Sequence, residues 1–191
     1  MRLFVAVETP EAIRCALKDW IAPLEAAYPA ARWVRTENLH VTLKFIGDTS
    51  AESLDAIRAA LRGIRQGSPI EINFSGAGFF PNDRRPRVLW AGVYAPPELA
   101  QLAQEVDHAL EPAGVARETR EFRPHLTVAR FPEKSDAAAV ARLREALAAN
   151  PAPELGAARV ADFHLYRSVL NPSGAVYTRL DSFNFTRSES A

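Results

Sequence analysis

One short phrase occurs twice in this chain. Residues 38–47 read NLHVTLKFIG and residues 123–132 read RPHLTVARFP, 85 positions apart. In the first copy Leu39, Val41, Leu43 and Phe45 alternate with His40, Thr42 and Lys44, and Gly47 closes the run. That is the period of a strand with one face in a core. In the second copy His125 and Thr127 share one face, Leu126 and Val128 the other. The same shift lays Arg2–Ala6 on Arg87–Ala91, and the helical pattern starting at Ala51 on the one starting at Asp136. A chain that repeats its elements at this distance is built from two copies of one supersecondary unit. The expected organisation is therefore a duplicated β-α-β-α-β unit with pseudo-twofold symmetry that brings the two histidine strands together across one cleft. The chain is read as one domain over 1–191 with approximate halves 1–85 and 86–185, and 186–191 as a frayed tail.

The remaining elements follow from period and punctuation. Leu3–Val7 is a buried strand stopped at Thr9-Pro10; Glu11–Ala27 carries a helical stripe of Ile13, Leu17, Trp20, Ile21 and Leu24, with Pro23 marking a break or kink. Trp33-Val34 is extended. Helices are expected at 51–65, 97–111 and 137–150, and strands at 70–80, 87–94, 160–170 and 175–180. Gly76 and Gly78 suggest a bulge in the first of those strands. The last two are joined by the hairpin turn Asn171-Pro172-Ser173-Gly174. The basic, turn-rich stretch Pro81–Pro86 is where the chain is expected to cross between halves.

Charge and cysteine usage exclude some classes. Lysine plus arginine (23) equals aspartate plus glutamate (23), which argues against a general nucleic-acid binder but leaves room for a locally basic pocket. The single Cys15 forms no internal disulfide or thiolate metal site and is read as a packing residue. No stretch approaches the ~20 apolar residues of a membrane span, and the N-terminal apolar run is too short for a signal peptide. The expected setting is cytoplasmic, without membrane contact, as a monomer.

The repeated residues define a chemistry. Imidazole, with an ordinary pKa of about 6.5, serves as base when neutral and as acid when charged, so two facing histidines suit a reaction that removes one proton and delivers another near neutral pH. The hydroxyls of Thr42 and Thr127 are donors for the non-bridging oxygens of a bound phosphate. Nothing in this arrangement requires a metal or cofactor. Lys44 has the parity to add positive potential. His108 and His164 lack such context and are read as structural or surface residues. Trp33, Phe45, Phe79, Phe122 and Tyr166 are core candidates that could also stack a base. Arg84, Arg85 and Arg87 are either a phosphate-steering cluster or a solvated loop.

HVTL at 40–43 and HLTV at 125–128 match the His-x-Thr-x signature, and the chain resembles the 2H phosphoesterase superfamily. Its flanks RLFVAV, WVRTENLHVTLKFIGD, PRVLWAGV, FRPHLTVAR and LYRSVLNPSGAVY resemble the RNA 2′,3′-cyclic phosphodiesterase branch (the ThpR/LigT type, once called 2′-5′ RNA ligases). The resemblance implies an α+β fold, bilobal and duplicated, whose antiparallel-rich sheets line a central cleft that holds the site. It also implies hydrolysis of 2′,3′-cyclic phosphates, at RNA ends or on small cyclic nucleotides, to 2′-phosphomonoesters without metal or cofactor. It further implies His40 as proton donor, His125 as proton acceptor, and Thr42 and Thr127 on the phosphate. The family's arginine falls on Arg130, which strand parity sets opposite His125, so it reaches a phosphate only if the strand bends near Ala129. The chain departs from the usual WVPPENLH by Arg35-Thr36. A catalytically silent RNA- or nucleotide-binding module of the same fold is the alternative.

Overall fold

The structure, a computed structural model, describes residues 1–65, 67–134, 136–171 and 174–185. In chain order the elements are β1 (Arg2–Glu8), α1 (Glu11–Ala27), β2 (Arg32–Trp33), β3 (His40–Asp48), α2 (Ser53–Arg62), β4 (Ile70–Phe80), β5 (Val88–Tyr94), α3 (Pro97–Leu110), β6 (His125–Arg130), α4 (Ala137–Ala149), β7 (Glu154–Val160), β8 (Asp162–Asn171) and β9 (Gly174–Asn184). Short 3-10 turns precede β3 at Thr36–Asn38 and follow α3 at Glu111–Ala113. Pro23 lies inside α1 without ending it. The expected hairpin turn falls partly, and the expected tail wholly, outside the described residues. Strand β7 had no expectation: Glu154–Val160 lacks an alternating pattern, with only Val160 buried.

The strands form one sheet in the order β7-β4-β5-β6-β3-β1-β8-β9, with β2 on β6. Every pairing among the described residues is antiparallel. The two halves of the sheet meet at a single pair, Val41 on β3 against Leu126 on β6. These two residues are 85 apart, the repeat's own distance. A residue facing its own copy across an antiparallel pair puts the pseudo-twofold axis through that pair. The spatial halves differ from the sequence halves, because β4 lies beside β5, and β8 with β9 lies beside β1. Pro81–Pro86 is consequently a hairpin loop within one half of the sheet. The chain crosses between halves in the connection from α2 to β4, and again between β7 and β8.

All four helices pack on one face. Leu3, Val5 and Val7 of β1, Val41 and Leu43 of β3, and Leu126 and Val128 of β6 join Leu17, Ile57, Leu102 and Leu143 from the four helices in one core. The opposite face carries only a small cluster of Phe4, Ala6 and Tyr166, with Tyr177 against it. Alternation along a strand thus separates a helix-covered face from an open one. Of the register shifts in the sheet, one of them around Gly76 in β4, two equivalent β-bulges modify it at the histidine strands. In β3, Ala6 faces Thr42 and Val5 faces Lys44, leaving Leu43 as the extra residue. In β6, Trp90 faces Thr127 and Leu89 faces Ala129, leaving Val128 as the extra residue. Leu43 and Val128 are repeat equivalents. At each, two consecutive residues turn into the core, Leu43 with Lys44 and Val128 with Ala129, and the next residue returns to the open face.

Candidate active site

The pairing of Val41 with Leu126, continued one residue each way, sets His40 across from Thr127 and Thr42 across from His125. The four side chains form a square on the open face around the pseudo-twofold axis. Directly opposed Cβ atoms in such a pair lie about 5 Å apart and diagonal ones about 7–8 Å. The two imidazoles occupy a diagonal, which leaves room between them for a tetrahedral anion. Each ring is oriented in the same way: Nδ1 of His40 meets the Asn38 carbonyl at 2.6 Å, and Nδ1 of His125 meets the Arg123 carbonyl at 2.7 Å. A carbonyl only accepts, so Nδ1 carries the proton and Nε2 is left as the reactive nitrogen. His40 stacks on Phe4 at 4.7 Å between ring centres and meets Tyr177 edge-on at 5.3 Å. His125 meets Phe80 edge-on at 5.1 Å.

Burial lowers the proton affinity of both rings. It takes His40 down to about 4, with the positive charges of Arg130 and His125 adding to the effect and the Asn38 carbonyl opposing it. His125 is lowered by burial and by Arg130, against the Arg123 carbonyl. Both are neutral at pH 7, and an anion placed between them would favour their charged forms. The influence of Arg130 on both histidines and on Tyr177 puts its charge at the site. The bulge at Val128 supplies the bend near Ala129 that simple parity lacks.

The equivalent bulge at Leu43 has the opposite consequence for Lys44. Simple parity puts Lys44 beside the phosphate; instead it points into the core, 6% exposed. There it forms an ion pair with Asp107 of α3 and donates to the Ala116 carbonyl at 2.6 Å. Lys44 is not on the histidine face, and Phe45, its neighbour, is there and 57% exposed. Of the other aromatic candidates, Trp33 donates to the Tyr28 carbonyl at 3.0 Å, Phe79 packs on Phe131, Phe122 packs against the core, and Tyr166 donates to Glu8 at 2.6 Å. His108 bonds within its own helix, to the Gln104 carbonyl. His164 is buried against Ser182 at 3.0 Å. Arg84 and Arg85 are exposed, their amides bonded to the Asn82 side chain in the hairpin loop.

A cavity of ≈ 210 Å³ opens beside His40, lined by Phe4, Glu8, Asn38, Tyr166, Tyr177 and Arg179 among others. Glu8 accepts from both Tyr166 and Arg179. Asn38 also donates to the Ala175 carbonyl at 2.8 Å, tying the β8–β9 hairpin to the residue that orients His40. Sequence reasoning missed Phe4, Glu8, Tyr177, Phe80 and Arg179. Parity from Ala6 would have given Phe4 and Glu8, but the long-range pairing of β8 with β1, which brings the β8–β9 hairpin to the site, carries no local signal. A second hollow, ≈ 240 Å³ among Thr9, Arg14, Arg159 and Asp162, reaches neither histidine. Among the described residues no three His, Cys, Asp or Glu side chains gather as a metal site.

A single sheet opened on one face, with a His–Thr pair from each repeat meeting at its axis, defines a 2H phosphoesterase. The profile of the 2′-5′ RNA ligase superfamily matches residues 10–171, and the chain belongs to that family. It is 36% identical over 183 residues to the RNA 2′,3′-cyclic phosphodiesterase of Archaeoglobus fulgidus, covering 96% of this chain and 99% of that one. Among solved structures it superposes on TT0787 of Thermus thermophilus with a TM-score of 0.79 at 31% identity, covering 98% and 100% of the two chains. On E. coli LigT complexed with 3′-AMP the TM-score is 0.77 at 30% identity, covering 97% and 98%. No helix among the described residues is long and apolar enough to cross a membrane.

Proposed function

We propose that this protein hydrolyses 2′,3′-cyclic phosphates, at RNA ends or on small nucleotides, to 2′-phosphomonoesters by acid–base catalysis between His40 and His125. The observation that carries the reading is the His–Thr square, with both Nδ1 atoms engaged by carbonyls and both Nε2 atoms left for chemistry. The phosphate occupies the diagonal. Hydroxyl donors from Thr42 and Thr127 and the charge of Arg130 hold its non-bridging oxygens. Nε2 of His125 takes a proton from water as the oxygen attacks phosphorus. The P–O3′ bond breaks in line, and Nε2 of His40 gives its proton to the departing 3′-oxygen. Each transfer contributes on the order of 10² to 10⁴ in rate. The bound anion raises His40 from its resting value so that it can hold the proton it delivers. A 5′-hydroxyl in place of water would give a 2′-5′ linkage by the same steps. Because both His–Thr pairs come from one chain, a monomer suffices.

The test is incubation with a 2′,3′-cyclic nucleotide in excess EDTA. The expected product is the 2′-monophosphate, with activity abolished by either His40→Ala or His125→Ala. Binding without turnover would point instead to a silent nucleotide-binding module, and turnover surviving His125→Ala would sink the mechanism.

A further inference from the structure

The two histidine strands touch at one residue pair, so something else must fix their offset. On one side the answer is backbone. The lead into His40 pairs with the other histidine strand through Arg32 with Arg130 and Trp33 with Ala129, and the Val34 amide donates to the Val128 carbonyl at 2.8 Å. The repeat predicts the same on the other side, with Arg117 and Glu118 pairing with Phe45 and Lys44. Among the described residues no strand pairing occurs there. The amide of Thr119, the equivalent of Val34, donates instead to the Glu118 carboxylate at 3.1 Å.

In place of that pairing stands a side-chain cluster. Lys44, turned inward by the bulge, pairs with Asp107 and donates to the carbonyl of Ala116. Asp107 also accepts from Arg117 Nε at 2.7 Å and from the Glu118 amide at 3.0 Å. Burial pushes the Asp107 carboxyl up, but the bonds from Lys44, the Glu118 amide and Arg117 outweigh it and hold it at about 2. Residues 116–118 lie in the irregular stretch between Ala113 and His125, which also carries Arg123, whose carbonyl orients His125. The equivalent of Lys44 in the other strand is Ala129, where backbone pairing makes such a tie unnecessary.

We propose that Lys44 and Asp107 are positioning residues for His125, their ion pair replacing the strand pair that the second repeat lacks. The pair holds the lead into β6, and with it the Arg123 carbonyl, at a set offset from the His40 strand. The proposal rests on the acid–base reading of the two histidines for its kinetic consequence, but its structural consequence can be read without turnover.

The experiment compares Lys44→Met, Asp107→Leu and the double variant in the full chain. Replacing both members of a buried ion pair by apolar residues of similar volume is often neutral for stability, whereas removing one leaves a buried charge. The double variant is therefore expected to regain part of the melting temperature that the single variants lose, short of the whole because Arg117 and the Glu118 amide also lose their acceptor. Its kcat on a 2′,3′-cyclic nucleotide is expected to stay about 10²-fold low, the effect of a displacement near 1 Å at a catalytic group, with KM little changed. In proton NMR the His125 Nδ1–H resonance should be lost to solvent exchange while that of His40 persists. Wild-type kcat in the double variant, or a His125 resonance that persists in it, overturns the proposal. If the unmutated protein turns over no cyclic phosphate, the functional reading fails and the resonance alone decides the positioning role.

Discussion

Acidification should destabilise this protein through His40 before it touches the carboxylates. The free imidazole titrates near 6.5 and the folded one at about 4, so between those values the unfolded chain holds a proton that the folded chain does not. Stability rises with pH wherever the unfolded state binds more protons, so it falls as pH drops through this window. The separation is about 2.5 units, which at 1.36 kcal/mol per unit gives up to about 3 kcal/mol. Against the 5–15 kcal/mol typical of a whole domain that is a large fraction. The paired carboxylates lie lower, with Asp107 and Glu118 both held at about 2, and contribute mainly below pH 4.5. Urea unfolding of the protein and of His40→Gln at half-unit steps from pH 7 to 4 isolates the effect, since the lowered His125 and His164 are common to both. The variant should lose less stability than the unmutated protein, by an amount approaching 3 kcal/mol at pH 4. Parallel curves, or a His40 ring resonance titrating near 6, would refute burial as the dominant force on this residue.

The same depression shapes catalysis. The pH profile of kcat/KM should be a bell displaced to the acid side of 6.5, because both free-enzyme histidines are lowered. The two limbs belong to the pair, activity falling on either side of the range in which the two rings share one proton; an optimum above pH 7 would contradict it. Arg130→Ala should lower kcat/KM by roughly 10²-fold, as for loss of one donor to a developing charge, and raise the His125 titration seen by NMR. Phe45→Ala should raise KM for nucleotide substrates by about 5–150-fold if a base stacks there, from roughly 1–3 kcal/mol per stack, and leave a base-free cyclic phosphate unaffected. Gly92→Ala should destabilise the protein by about 1–3 kcal/mol in thermal melts. Gly92 is the β5 residue that faces His125; a Cβ on it would collide with the Ser75 carbonyl oxygen of β4, and backbone has no rotamer by which to move aside.

The boundary between what the sequence makes legible and what it hides runs through the two bulges. Period-two alternation is a local property, so it placed β3 and β6, and the repeat then placed His40, Thr42, His125 and Thr127 on one open face. A bulge is decided by the neighbouring strand: nothing in HVTLKF or HLTVAR states that Leu43 and Val128 each take an extra position against β1 and β5. That single residue reverses parity for the two residues that follow it. It removes Lys44 from the site and delivers Arg130 to it, the two assignments where simple alternation fails, and it does so symmetrically because the repeat carries the bulge with it. Beyond each bulge the two strands differ in partner as well as side chain, since β2 pairs with β6 at Ala129 and Arg130 and no strand pairs with β3 in the equivalent place among the described residues. Lys44 turned inward becomes a buried cation that needs Asp107, whereas Ala129 turned inward needs nothing. Phe45 and Arg130, returned to the open face at equivalent positions, give one half of the site an aromatic surface and the other a charge. Deleting Val128 tests the logic directly: the shortened strand should restore plain alternation, turn Arg130 away from the histidines, and release His125 from the guanidinium that lowers it. A His125 titration unchanged by that deletion would mean that Arg130 reaches the site by a route other than the bulge.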